Sequence, residues 1–571
     1  VLAGPLFTRE ALTTPRQFKH YLFRAGYLGA FFVLMYTAAQ TTFGFQTVRN
    51  LGDIARFGGQ VFQILSFVQL TLILFFSVLF AAGNVAIEKD RRTLILLLMT
   101  DLPNRELVLG KLLGSLLLPG VLITISLPAF LLVALLGGVG FDQLWACLGT
   151  CAAVGLAAGC WGTLVAFWRE KTFQTLAISL LGLVFWLGLV EVVGWMAAGT
   201  AIGSWAAALN PFRVLWGILS PFDSSTASPL ICGLEYTALS LILVLVTIRR
   251  LRVWNPSRGV YEATAIVETG EKTTVRTREP RTVWELPILW REMRTRAYGR
   301  RAILIKGAYL LFAAVAIGSQ VVVEPSTDLI LGMLPPAGFL FAGLSLLCFL
   351  MVNTQAVTAL TSERDANTLE LLLVTEVTAS EFTWGKLLGV LYNSKELIAV
   401  PLVWLGWLVA SGFCPIDHAI FVLIGFLTLT FFSAMLGLHA GLTYHNSRQA
   451  IGSSLGTIFF LFIGIFVCMI LILQARASFA LQLPSFLVFI LGGAIALIGA
   501  LAQRNQAPAL YLASSILPFA TFYAITTFLL GQMFEVCVAV TAAYGFTIIA
   551  MLIPAVSEFD VALSEGSANR G

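Results

Sequence analysis

Residues 88–114 read EKDRRTLILLLMTDLPNRELVLGKLLG, and residues 363–389 read ERDANTLELLLVTEVTASEFTWGKLLG. The two stretches lie 275 positions apart and share 14 of 27 residues without a gap. Besides leucines, the shared residues include Glu88 and Glu363, Asp90 and Asp365, Thr93 and Thr368, and Thr100 and Thr375. Glu106 and Glu381, Gly110 and Gly385, Lys111 and Lys386, and Gly114 and Gly389 complete the register. Long apolar runs flank both copies. Polar residues repeated in register between membrane segments point to a surface used twice. The first reading is a membrane protein of two parallel halves, each offering one polar docking element.

Composition agrees. Hydrophobic residues make up 58% of the 571 residues, charged residues 11%, and the mean hydropathy is +0.89. Soluble domains carry roughly 25% charged residues, so this is a polytopic membrane chain, all-α by the length of its apolar runs. The eight cysteines fall mostly inside those runs and form neither a Cys-x-x-Cys pair nor a secreted disulfide framework. They read as small hydrophobes. Basic and polar residues fill positions 8–24 before any apolar run, so no cleavable signal is visible and the first span is expected to direct insertion.

Apolar runs suggest spans near 25–43, 61–83, 112–138, 144–167, 175–200 and 229–247, then near 302–322, 329–352, 396–411, 420–443 and 451–473. Three more follow near 479–501, 509–530 and 534–556, with a re-entrant or interfacial helix as the alternative for the middle one. The expectation is two halves of about 6 spans each plus about 2 extra apolar helices in the second, 12–14 in total. Placing both termini in the cytoplasm puts 30 of the 35 Lys and Arg on the cytoplasmic side, with Arg49, Arg56, Arg213, Arg476 and Arg504 as exceptions. Both blocks are then cytoplasmic.

The division expected is 1–250 for the first half, 251–286 for a cytoplasmic linker and 287–571 for the second half. Residues 249–306 hold 14 of the basic residues against six glutamates, and 255–285 are poor in large apolar residues. Residues 287–301 echo residues 5–19, with Pro, Arg-Glu and later basic residues coinciding at an offset of 282. Each reads as a basic amphipathic helix in the membrane interface ahead of its half. The 275 offset continues through 167–174 and 442–449, but Leu209-Asn-Pro-Phe212 matches Ile516-Leu-Pro-Phe519 at an offset of 307. The second half therefore carries about 32 extra residues, roughly one membrane helix and a turn.

Within each block a charged turn precedes an apolar stretch too short to span (94–99 and 369–374), then a polar break and a helix entering the membrane at Gly-Lys-Leu-Leu-Gly. Thr378 and Glu381 have capping-box spacing, and Pro103 suits a helix N-terminus. Lys111 and Lys386 are expected to snorkel to the headgroups. Here the chain resembles the permease subunits of type-2, export-type ATP-binding-cassette (ABC) transporters. That family's pattern is Glu-Lys/Arg-Glu/Asp-x-Gly-Thr-Leu-(Glu)-Leu-Leu, a Pro-containing turn, then Glu and Gly-Lys. Both copies match it, and the resemblance covers the whole length as two fused permease halves.

The resemblance implies a coupling helix in each block, docking two separate cytoplasmic ATPase subunits. Carried over, Glu88, Asp90 and Thr93, with Glu363, Asp365 and Thr368, would face the ATPase. Glu106, Gly110, Glu381 and Gly385 would shape the turn into the next span, beside Lys111 and Lys386. Arg92 and Asn367 stand where the family has Gly, and Ile95 replaces an acidic residue, so the first copy is the less typical. A plasma-membrane location is implied, and no nucleic acid.

Both Gly-Lys pairs are followed by Leu, so the phosphate-cradling Gly-x-x-x-x-Gly-Lys-Ser/Thr loop is absent. The chain is expected to bind no cofactor, with ATP and Mg held by the partner. His20, His418, His439 and His445 make no metal-binding pattern. Glu191 lies inside an apolar run, where an ionisable residue is a transport-pathway candidate or, equally, one reaching the outer interface or capping a neighbour. Its counterpart is Phe466. The alternative function is an ion-gradient-driven secondary transporter with parallel repeats. That class needs several ionisable groups at mid-membrane depth, and Glu191 stands alone here. An intramembrane enzyme would need a carboxylate pair, His/Ser set or metal cluster at depth, and none is visible. The substrate does not follow from the residues.

Overall fold

The long apolar runs become helices that differ in how far they outreach a bilayer. The computed structural model describes residues 4–13, 18–44, 50–197, 199–219, 228–255, 284, 286–294, 302–322, 329–330, 332–365, 377–444, 446–475, 479–502 and 507–568. The first half runs α1 (Gly4–Thr13), α2 (Phe18–Phe43), α3 (Leu51–Asp90), α4 (Thr93–Leu98), α5 (Asn104–Leu136), α6 (Phe141–Trp168), α7 (Thr172–Met196), α8 (Ala201–Leu209), α9 (Pro211–Leu219) and α10 (Pro229–Trp254). The second runs α11 (Pro287–Arg294), α12 (Ala302–Val322), α13 (Pro336–Asp365), α14 (Ala379–Asn393), α15 (Lys395–Ala410), α16 (Ile416–Thr443), α17 (Ser447–Ala475), α18 (Phe479–Leu501), α19 (Pro508–Leu529) and α20 (Met533–Ala568). Twelve of these are long and apolar enough to cross a membrane, or 13 if α14 and α15, bent by 55°, count as one span. The expected all-α polytopic architecture is observed. The stretch near 509–530, for which a re-entrant or interfacial helix was the alternative, is a continuous helix of spanning length. At 40 residues, α3 is about 60 Å long, twice a hydrocarbon core of about 30 Å. Its last turn, with Glu88 to Asp90, therefore projects past the lipid.

Packing repeats with the sequence. In each half the second span lies along the fourth, α3 on α6 and α13 on α16. Gly162 and Gly437, 275 apart, make both contacts possible. A Cβ at Gly162 would sit 2.8 Å from the Val78 carbonyl oxygen, and one at Gly437 2.8 Å from that of Asn353. Small residues at such crossings let helices approach where no hydrophobic force separates protein from lipid. α10 packs on α6 as α20 packs on α16, so α20 is the counterpart of α10.

The extra residues of the second half then have a place. Short α8 and α9 are replaced by full-length α18 and α19. Pro211 begins α9, whereas its counterpart Pro518 lies inside α19. The halves meet reciprocally, α7 against α13 and α17 against α3. Phe75 stacks on Phe459 with ring centroids 3.8 Å apart. Beyond this shared interface, α18 also packs on α2.

Candidate functional site

Each block opens where the second span of its half leaves the bundle, and its first three residues tie three other helices to that point. Glu88 and Glu363 accept from a lysine of the next span. Lys111 Nζ lies 2.5 Å from Glu88 and 3.3 Å from Glu10 of α1. Lys386 Nζ lies 2.8 Å from Glu363 and 2.7 Å from Glu292 of α11. These lysines do not snorkel: their side chains are 3% and 2% exposed. Flanking carboxylates supply the partners that a headgroup or water would otherwise provide, as a buried ion pair requires. Glu292 is itself buried, and Arg291 also bonds Glu363.

The second residue of each triplet caps the fourth span. Lys89 Nζ donates to the carbonyls of Phe167 (2.5 Å) and Arg169 (2.9 Å). Arg364 donates to Tyr444 and to Gly441 (2.5 Å). Those carbonyls have no intrahelical partner at a helix C-terminus, where a cation is favoured. The third residue holds the fifth span: Thr172 donates to Asp90, and Ser447 to Asp365 at 2.5 Å. Glu-Lys/Arg-Asp is thus a junction that gathers the ends of spans two to five.

The glycines act differently from the turn-forming role expected of them. Gly110 and Gly385 lie inside α5 and α14, both buried. A Cβ at Gly385 would meet Ile288 Cβ at 2.8 Å, and one at Gly389 would meet Glu292 Cβ at 2.8 Å. The glycine seat lets α11 pack flat on α14, bringing Glu292 to Lys386. The reason is spacing: Gly385 and Gly389 are four apart and share one helix face.

Turn-making falls to other residues. Thr378 and Glu381 form the expected capping box, with Thr378 N to Glu381 Oε2 at 3.1 Å and Glu381 N to Thr378 Oγ1 at 3.3 Å. Pro103 is the N-cap of α5, with Glu106 in the first turn. Arg92 adopts φ 59°, the left-handed region. This explains physically why a glycine suits that position. Thr93 Oγ1 donates to the Glu88 carbonyl at 3.2 Å. Thr368, Asn367 and the stretch 369–374 lie outside the described residues.

Past the junction, α4 sits as a short shelf. Leu94 and Leu98 are buried against Val85, Leu107 and Phe167, while Leu96 and Met99 stand 65% and 62% exposed. At the far end of α7, Glu191 makes a bidentate pair with Arg213 of α9 at 2.5 and 2.9 Å and accepts from Asn210 at 2.6 Å. Its carboxylate pins α9 to α7. Glu235 of α10, missed in the sequence reading, has both carboxylate oxygens enclosed without a hydrogen-bond partner among the described residues. The available signal was an acidic residue six positions into an apolar helix.

Residues 27–216 match the family described as ABC-2 family transporter protein. The match runs from within α2 into α9 and includes the first block. The chain fits a permease of the ABC-2 type. By its apolar helices it is a multi-pass membrane protein. Two fused ABC-2 halves accord with its 571 residues. No curated protein matches the chain.

Proposed function

We propose that this ABC-2-type permease is the export channel of an ATP-driven system, with two separate ATPase subunits docking on the two blocks from the cytoplasm. Its membrane is the plasma membrane, and both termini and the 251–286 linker are cytoplasmic. ATP and Mg are bound by the partner. The observation that carries the reading is the α4 shelf, where Leu96 and Met99 are turned outward on a helix whose other face is packed on the junction. A six-residue apolar helix gains little by exposing its leucines to water. Covered by a partner, it becomes a rigid handle. A push on α4 passes through Glu88, Lys89 and Asp90 to the ends of α5, α6 and α7 together.

In this reading the Glu, Lys/Arg and Asp of each block transmit force, and the ATPase rests on the exposed residues beyond them. Glu191, paired with Arg213, positions the far-end hairpin. The test is reconstitution of the purified chain with its cognate cassette ATPase. ATP hydrolysis is expected only in the mixture, and Leu96→Asp with Met99→Asp should abolish ATPase capture while leaving the chain monodisperse. Unchanged capture by that variant would refute docking at α4.

A further inference from the structure

The junctions of the two halves touch each other. Arg91, the residue after the first triplet, reaches across to Asp365 of the second, with Nε and Nη2 both 3.3 Å from Oδ1. Among the described residues, the other ion pairs each stay within one half. The contact is one-sided by sequence, because the residue 275 positions after Arg91 is Ala366. Asp365 is 5% exposed and Arg91 44% exposed. The Asp365 carboxylate also lies close enough to Asp90 for the two charges to interact.

Two aspartates, each ending the second span of its half, therefore lie near one another, and Arg91, which follows the first, bonds the second. Each is already committed to a fifth span, Asp90 to Thr172 of α7 and Asp365 to Ser447 of α17. The described groups acting on this pair are Arg91, Thr172 and Ser447 by hydrogen bond and Lys89, Lys171 and Arg364 through space.

We propose that Asp90, Arg91 and Asp365 form an electrostatic gate between the halves, closed in this structure because Arg91 of the first half bonds the Asp365 carboxylate of the second. Losing the arginine would leave like charges at the meeting point of α3 and α13, and the block ends of the two halves would separate. A transporter assembled from two identical half-chains would carry this arginine twice or not at all. Fusion into one chain permits the unequal arrangement. Because Arg91 is partly solvated, its hold weakens with ionic strength, and the gate is tunable rather than locked. This inference does not depend on ATPase docking and is tested without any partner.

The experiment uses the full chain in lipid nanodiscs, native cysteines replaced, with spin labels at Met99→Cys and Ser380→Cys, both exposed. Pulsed electron paramagnetic resonance reads the distance between the block ends. Arg91→Gln should shift the distribution to longer distances, more at low than at high salt. Arg91→Lys should keep the wild-type distance. Arg91→Gln combined with Asp365→Asn, which removes one repelling carboxylate, should return it. An unchanged distribution in Arg91→Gln at low salt, or a double variant as open as the single, would overturn the proposal. If Arg91→Gln alone does not fold, the double variant decides: a wild-type distance supports the gate, a lengthened one refutes it.

Discussion

Replacing Lys386 with alanine should be the most damaging single change at the block end. The ammonium is 2% exposed and donates to Glu292 at 2.7 Å, to Glu363 at 2.8 Å and to the Ala359 carbonyl at 3.5 Å. Without it, Glu292, 5% exposed, and Glu363 lose the buried ammonium they share and keep the partly exposed Arg291. Breaking a buried ion pair by removing one partner costs about 3–5 kcal/mol, a large share of a total stability of about 5–15 kcal/mol. Lys111 makes the equivalent bonds to Glu88 and Glu10, but these are 22% and 19% exposed. Water can then solvate the stranded carboxylates, and Lys111→Ala should cost about 1–3 kcal/mol. The assay is equilibrium unfolding of the full chain in mixed micelles by SDS titration, followed by tryptophan fluorescence. Lys386→Met with Glu363→Gln and Glu292→Gln should recover most of the loss, since a neutral set of similar volume strands no charge. A loss in Lys386→Ala no larger than in Lys111→Ala, or no recovery in the triple variant, would refute the argument from burial.

Arg92→Gly should raise stability by about 1 kcal/mol by relieving the left-handed φ of 59°, whereas Arg92→Val should lower it; the same titration measures both. Gly385→Val should push α11 off α14, because its Cβ would sit 2.8 Å from that of Ile288. The expected cost is about 1–3 kcal/mol, with faster hydrogen exchange confined to residues 287–294. Asp90→Ala should free the start of α7 and raise exchange at residues 172–176, and Asp365→Ala should do so at 447–451, the loss of a charged hydrogen bond being about 1.5–3 kcal/mol.

Much of this architecture is written in the chain, because membrane spans are long apolar runs and the repeat is in register. The capping box at Thr378 and Glu381 was legible for a related reason: it is local, fixed by residues three apart. The lysines were misread because snorkelling is judged from one helix. The carboxylates that hold Lys111 and Lys386 come partly from α1 and α11, 101 and 94 positions away. The offset of 282 between 5–19 and 287–301 held that information, since it aligns Glu10 with Glu292, but nothing local says that these helices fold back onto α5 and α14. Gly385 was assigned to a turn by the family resemblance. Its role as a helix seat depends on Ile288, which only tertiary packing brings near. The extra 32 residues were counted correctly from the sequence. That they lengthen α8 and α9 into α18 and α19 follows from α20 taking the place of α10 on α16, a contact without a sequence signature.

In the proposed function one chain supplies both halves of the transporter. Within it, α7 meets α13 and α17 meets α3, leaving two blocks for two ATPase subunits. Native mass spectrometry of the detergent-solubilised complex counts the subunits directly. One permease chain with two ATPase subunits is the expected result, whereas a stable complex of two permease chains with two ATPase subunits would contradict this architecture.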